Sequence, residues 1–315
     1  MPPYPPAQAH GMTAQELASW IALHAVPGMG AASLARLLAR FGTPGAVLDA
    51  PPKELLAVPK VPALVLRGVL EQAGQRTHHE AIARRLLAEG VSAVRRDEPE
   101  YPLRLHNLSS PPPLLYVRGR LPRDSMRTFG IVGTTEPSHH GAEIARAIAA
   151  HLAARGWAIV SGAARGIDAA AHRAAFAARK PTILVLPTGI LRVRSHARQP
   201  EGEAVWGRAA AVSECHPEAP WCTAAALARN RLIAALSDAV LVVEARERGG
   251  SIGTLRHALA LGRRGFVVRF RAPALSAAAN AVAEAMGATP VRSIRELDEA
   301  LAQPPRLGAQ STLVW

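Results

Sequence analysis

Two hydrophobic periods divide this chain. Through about residue 72 apolar positions recur at helical spacing. Leu17, Trp20, Ile21 and Leu23, with His24, share one stripe, and Ser33-Leu34-Ala35-Arg36-Leu37-Leu38 opens another. From about residue 77 short apolar runs alternate with single helical stretches. The runs at 91–94, 129–132, 157–160, 182–186, 211–213, 239–243 and 266–270 read as strands. The stretches at 77–89, 142–155, 169–178, 227–236, 251–261, 277–286 and 294–301 read as helices. Ile144, Ile148 and Leu152 line one face of the helix over 142–155, which Gly156 terminates. Buried strands separated by single helices predict a parallel sheet covered on both faces. The expected fold class is therefore α/β, a doubly wound Rossmann-like parallel sheet with a small N-terminal all-helical domain. Residues 1–74 form the helical domain, 75–303 the extended Rossmann-like core and 304–315 a tail.

In such a sheet ligands sit at the carboxyl ends of the strands, and four candidate turns fall there. Ser161-Gly162-Ala163-Ala164-Arg165-Gly166-Ile167-Asp168 follows one strand and opens a helix. A Gly-rich strand-to-helix turn gathers unpaired amides and the positive end of a helix dipole at one place, which suits a phosphate. Arg165 adds a planar fork of donors. The other turns are Gly133-Thr134-Thr135-Glu136-Pro137-Ser138, Arg229-Asn230-Arg231, and Gly249-Gly250-Ser251-Ile252-Gly253-Thr254. Each alone could be a tight turn and nothing more; their convergence points to a phosphate-bearing ligand. Asp168 either answers the helix dipole or orients Arg165, and His172 lies one turn further along the same face. A packed histidine is its ordinary reading. Glu244 closes an apolar strand and either satisfies turn amides or meets a ligand hydroxyl.

The formal charge of +13 suits a nucleic-acid partner, although Lys53, Lys60 and Lys180 are the only lysines, and an Arg- and Ala-rich bias also follows from a GC-rich genome. Val26-Pro27-Gly28-Met29-Gly30, between two helices, is similar to the hairpin of helix-hairpin-helix modules, whose amides hold a DNA phosphate; a ligand-free tight turn is the alternative. Val58-Pro59-Lys60-Val61-Pro62 is a degraded second copy. Cys215 and Cys222 fit no zinc or redox spacing. No apolar run reaches the ~18–20 residues of a membrane span, and the opening Met1-Pro2-Pro3-Tyr4-Pro5-Pro6 lacks the regions of a signal peptide, so the expected location is the cytoplasm. There is no Gly-x-x-x-x-Gly-Lys loop and no strand followed by Gly-x-Gly-x-x-Gly. No catalytic set, metal site or cofactor is expected.

Taken together, these residues resemble the DNA-processing protein A (DprA/Smf) family over roughly residues 13–303. The resemblance rests on Tyr101-Pro102, Leu105 and Pro113-Leu114-Leu115-Tyr116-Val117-Arg118-Gly119. It also rests on Ser161-Gly162-x-Ala164-Arg165-Gly166-Ile167-Asp168-x-x-Ala171-His172, on Arg229-Asn230-Arg231-Leu232-Ile233, and on Val242-Val243-Glu244-Ala245. It implies a non-catalytic mediator of natural transformation and recombination that binds single-stranded DNA, forms a homodimer and assists loading of the RecA recombinase. It places Gly133, Thr134, Ser138, Gly162, Arg165 and Gly166 around the phosphate pocket, with Arg229 and Arg231 nearby. Ser161, Asp168, Asn230, Gly250, Ser251 and Thr254 complete the candidate set.

The chain departs from the family pattern in several places. Thr135 stands where the family has Arg, and Ala226-Leu227 replaces Phe-Pro before the Arg-Asn-Arg run. A missing stacking aromatic costs about 1–3 kcal/mol per base; Trp221 is close enough in sequence to substitute. Many members carry a C-terminal winged helix, and only residues 303–315 follow the last helix here. The alternative is a nucleotide sensor or enzyme using the same pocket. The Gly249–Thr254 turn is similar to the Gly-Gly-x-Gly-Thr loop of lysine-decarboxylase-like phosphoribohydrolases, although Arg248 and His257 occupy the neighbourhood of their catalytic acid.

Overall fold

A computed structural model describes residues 12–193, 202–246, 249–270 and 277–303. Six helices come first: α1 (Ala14–Ala25), α2 (Ala31–Phe41), α3 (Pro44–Asp49), α4 (Pro52–Leu56), α5 (Ala63–Ala73) and α6 (Arg76–Ala88). Thr13 and Glu16 form a capping box at α1, each side chain bonding the other's backbone N–H. Pro44 and Pro52 each stand at the start of their helix, where a missing N–H costs nothing. Then follow β1 (Val91–Arg95), β2 (Leu114–Gly119), β3 (Thr128–Val132), α7 (His139–Ala154), β4 (Ala158–Ser161), α8 (Ile167–Ala177), β5 (Thr182–Val185) and β6 (Ala209–Ser213). The chain continues through α9 (Thr223–Ala235), β7 (Ala239–Val242), α10 (Gly250–Ala260), β8 (Arg264–Val268), α11 (Ala277–Ala285), β9 (Thr289–Val291) and α12 (Ile294–Ala302).

The nine strands form one sheet in the order β1-β2-β6-β5-β4-β3-β7-β8-β9. From β3 the chain steps outward through β4, β5 and β6, then returns to β7 and steps the other way, which is the doubly wound pattern expected. Every pairing from β6 to β9 is parallel. One edge departs from expectation: β2 runs antiparallel to both β1 and β6. No crossover helix joins β1 to β2, only a loop with one 3-10 turn (Leu103–Asn107), so nothing imposes the parallel direction there.

Three apolar clusters hold these layers. Phe129, Ile131 and Ile159 pack beneath α7, α8 and α12 on one face. Val160, Ile183, Val240 and Val242 pack beneath α9, α10 and α11 on the other. The third cluster runs from α1–α6 without a break into Tyr116, Leu184 and Ala211 of the sheet. α6 packs on α1, so the helix beginning at Arg76 shares the core of the preceding five. Among the described residues no helix is long and apolar enough to cross a membrane.

Candidate nucleic-acid interface

The direction of winding reverses between β3 and β7, and a crevice opens outside the strand ends there. A cleft of about 610 Å³ occupies this place. Gly133, Gly162, Arg165, Asp168, Arg229 and Asn230 line it, and Gly250, Ser251 and Thr254 close one side.

Glycine is required where the loops meet. Gly166 precedes α8 at φ +77, ψ −125, a conformation open to glycine alone, and an added Cβ would overlap the Thr134 carbonyl. A Cβ on Gly133 would lie 2.5 Å from Ile167 Cγ1 and 2.7 Å from the Glu244 carbonyl. Contact this close lets Ile167 N–H donate to Thr134 O at 3.2 Å and Thr134 N–H to Glu244 O at 2.7 Å. The β3, β4 and β7 loops are thereby fastened into one surface.

Beneath that surface lies a buried charge layer. Asp168 accepts from the amides of Gly162 at 3.1 Å and Ala164 at 3.4 Å. Arg229 is 6% exposed and donates through Nη1 to the Val185 carbonyl. Both side chains crowd the α-carbon of Gly162, where any Cβ would overlap them. Burial pushes the Asp168 carboxyl up, and the neighbouring Arg229 charge opposes that shift. Burial likewise lowers Arg229, opposed by Asp168. Asp168 therefore holds the loop and faces Arg229; orientation of Arg165 is not its task. His172 lies in the same layer, bonded through Nδ1 to Thr182 Oγ1 at 2.8 Å. That hydroxyl donates to Ile159 O, so it accepts from His172 and Nδ1 carries the proton.

Burial and the Arg229 charge hold His172 down at about 3. An unfolded chain binds a proton there below about 6.5 while the folded one does not. The stabilising contribution is therefore complete above pH 6.5 and is lost as pH falls toward 3. At pH 5 the loss is about 2 kcal/mol. We expect the difference in urea-unfolding free energy between pH 7 and pH 5 to shrink by about that amount in His172→Asn, whose amide keeps a donor for Thr182. An unchanged difference would show that His172 is not held neutral.

Several sequence-predicted residues have their side chains bonded within the fold. Ser161 is fully buried and donates from Oγ to Ile131 O at 2.6 Å, tying β4 to β3. Ser138 caps α7 through Gly141 N–H and donates from Oγ to Glu244 Oε1 at 2.6 Å, while its own N–H reaches Oε2 at 2.8 Å. Glu244, 4% exposed, thus satisfies the α7 N-terminus from within, and Gly141 leaves room for its carboxylate. Thr134 is used in loop fastening, and its neighbour Thr135 lines the cleft instead. Arg231 is two residues beyond Arg229 on a helix, so it faces away and pairs with Glu214 near α1. Asn230 remains in the cleft wall, donating to the Gly250 carbonyl at 3.0 Å and linking α9 to α10.

What the cleft offers a ligand is narrower than the motifs suggest. Arg165 is exposed, with no hydrogen bond or ion pair among the described residues. Arg192, from the loop after β5, also lines the cleft, its Nε donating to Glu218 O at 2.6 Å. The sequence reading overlooked it, although the carboxyl end of β5 is a place the winding rule singles out. Trp221, 61% exposed, and Leu227, 53% exposed, stand on the rim. Trp221 thus occupies the wall from which the family aromatic at Ala226 is missing.

A family model described as DNA recombination-mediator protein A matches residues 92–302. The chain belongs to that family. It is 34% identical over 255 residues to Protein Smf of Synechocystis, a match covering 78% of this chain and 63% of that protein. It is 29% identical over 226 residues to the DNA processing protein DprA of Bacillus subtilis, covering 71% and 75%. The Synechocystis match thus spans less than two thirds of that relative. The fold matches the X-ray structure of DprA from Streptococcus pneumoniae with a TM-score of 0.69 at 23% identity, covering 90% of this chain and 97% of that one. It also matches DNA processing protein A from Helicobacter pylori, described for its single-stranded DNA binding mode. There the TM-score is 0.56 at 25% identity, covering 67% and 95%.

Proposed function

We propose that this family member binds single-stranded DNA in the Gly-rich cleft and acts as a recombination mediator without turnover, as a homodimer assisting RecA. The observation that carries the reading is Arg165, an exposed guanidinium with no hydrogen bond or ion pair among the described residues, lining the same cleft as the exposed indole of Trp221. A cation suits the phosphate of any nucleic acid, and an aromatic face for an unstacked base is what a single strand can use and an intact duplex cannot. The match to a relative described for single-stranded DNA binding supports it. Asp168 and His172, the titratable groups nearest the loop, are sealed beneath it and bonded into the fold, which supports binding over chemistry.

The test is binding of a fluorescent oligo-dT across a salt series. Wild type is expected to bind with affinity that falls as salt rises. Arg165→Ala is expected to weaken binding by about tenfold or more with an unchanged melting temperature, because no hydrogen bond or ion pair among the described residues is lost. Trp221→Ala is expected to remove about 1–3 kcal/mol of binding with the salt slope preserved. Equal affinity in wild type and Arg165→Ala would remove the cleft from the reading.

A further inference from the structure

One wall of the Gly-rich cleft carries polar atoms that the fold leaves unused. Asn230 and Ser251, each 6% exposed, both line it. Asn230 Nδ2 donates to the Gly250 carbonyl at 3.0 Å, and Thr254 Oγ1 donates to the same oxygen at 3.3 Å. The amide nitrogen is thereby held against α10, and the side-chain oxygen faces away from that carbonyl. Oδ1 accepts no hydrogen bond among the described residues, and it is not sealed from the cleft. Asn280, the other buried asparagine among the described residues, uses its whole amide within the fold. Its Oδ1 accepts from Ala245 N–H at 3.2 Å, and its Nδ2 donates to the carbonyls of Val243 and Val268 at 2.8 Å each.

Ser251 stands apart in the same way. Ser161, Ser213 and Ser237, all fully buried, donate their hydroxyls to the carbonyls of Ile131, Thr188 and Ile233. The Ser251 hydroxyl, in the first turn of α10, has no hydrogen bond among the described residues. The two residues adjoin, since Ser251 follows the glycine whose carbonyl holds Asn230. Ala226, one turn before Asn230 on the cleft face of α9, presents a single methyl group. Among the described lining residues Asp168 is the only carboxylate, and it is bonded to the amides of Gly162 and Ala164.

On its Watson–Crick edge every base carries a donor next to an acceptor: N6–H and N1 in adenine, N4–H and N3 in cytosine, N1–H and O6 in guanine, N3–H and O4 in thymine. In a duplex the complementary strand occupies these atoms, and in a single strand they are free. That edge is the part of the base far from the sugar. With the phosphate on Arg165 at the cleft mouth, it is the edge that enters.

Resting on the reading of this cleft as a single-strand site, we infer that Asn230 and Ser251 bind the Watson–Crick edge of one unpaired base. Asn230 Oδ1 accepts from the base N–H, and the Ser251 hydroxyl donates to the acceptor beside it. All four bases satisfy the same pair, so the contact selects unpaired over paired strands without selecting sequence. Arg165 alone would hold either kind of strand.

The test sets oligo-dT against the same oligomer built from N3-methylthymidine, which keeps the phosphates, sugars and ring but has a methyl group in place of the N3 proton. Wild type is expected to bind the methylated oligomer about tenfold or more weakly, with an unchanged salt slope because no phosphate contact is altered. Ser251→Ala removes no hydrogen bond of the described fold and is expected to weaken oligo-dT binding about three- to tenfold. Asn230→Ala is expected to weaken it about tenfold and to melt earlier, having lost the bond to Gly250. On the methylated oligomer the three proteins are expected to agree within about twofold, since the contact is already gone. Equal affinity of wild type for the two oligomers, or full oligo-dT affinity in both variants, would overturn the inference and leave the DNA reading standing. No binding of oligo-dT by wild type would fail that reading, and this inference with it.

Discussion

Replacing Arg229 with Met is expected to destabilise the protein by about 3–5 kcal/mol, because it strands the Asp168 carboxylate beneath the Gly-rich loop. Met keeps most of the volume, so the loss is electrostatic and not a cavity effect. Arg229 provides the positive charge facing Asp168 and the donor to the Val185 carbonyl. Without it, burial drives the carboxyl further above its ordinary 3.8. A raised folded-state value means the folded protein binds the proton first, so the deficit narrows as pH falls from 7 toward that value. Urea unfolding at pH 7 and pH 5 checks both the size and the sign. Asp168→Asn combined with Arg229→Met is expected to recover part of the loss, since the uncompensated charge is gone. A deficit below about 1 kcal/mol, equal at the two pH values, would show that the pair does not hold the loop.

Gly166→Ala is the second large effect, expected to cost about 2–6 kcal/mol. Strain from a side chain at φ +77 and overlap with the Thr134 carbonyl each contribute about 1–3 kcal/mol. The substitution adds one methyl group and removes no polar contact, so the loss isolates the close approach of the two loops. Relief requires the β4 loop to move away from the β3 loop and stretches the bond from Ile167 N–H to Thr134 O. Arg165, the preceding residue, moves with it. Thermal melts by circular dichroism measure the first consequence, and oligo-dT binding well below the melting temperature measures the second. A variant that melts with wild type would show that the loops do not meet as described.

Much of this fold was legible in the chain because hydrophobic period records burial directly. The helices over 77–89 and 294–301 and the strand over 91–94 appear within a residue or so of their expected places. β8 falls at Arg264–Val268 where 266–270 was expected, because its backbone pairs with β7 from Arg264 onward, a register no local pattern reveals. β2 and β9 were not read as strands from the sequence, and the antiparallel direction of β2 was also invisible, since pairing direction depends on where a loop returns.

The sequence by itself determined the doubly wound order, the Gly-rich turn and the cation at its tip, because periodicity, glycine and charge act through the residue that carries them. Tertiary structure alone decided how the polar residues divide. Asp168 and Arg229 went below the loop, Ser138 to Glu244, Ser161 to β3 and Arg231 to Glu214, while Arg165 stayed in solvent. A buried polar atom must find a partner, and the available partners here come from strands and helices distant in the chain. Spacing can bring a residue to the edge of a site; only the packed fold determines whether its donors are already spent.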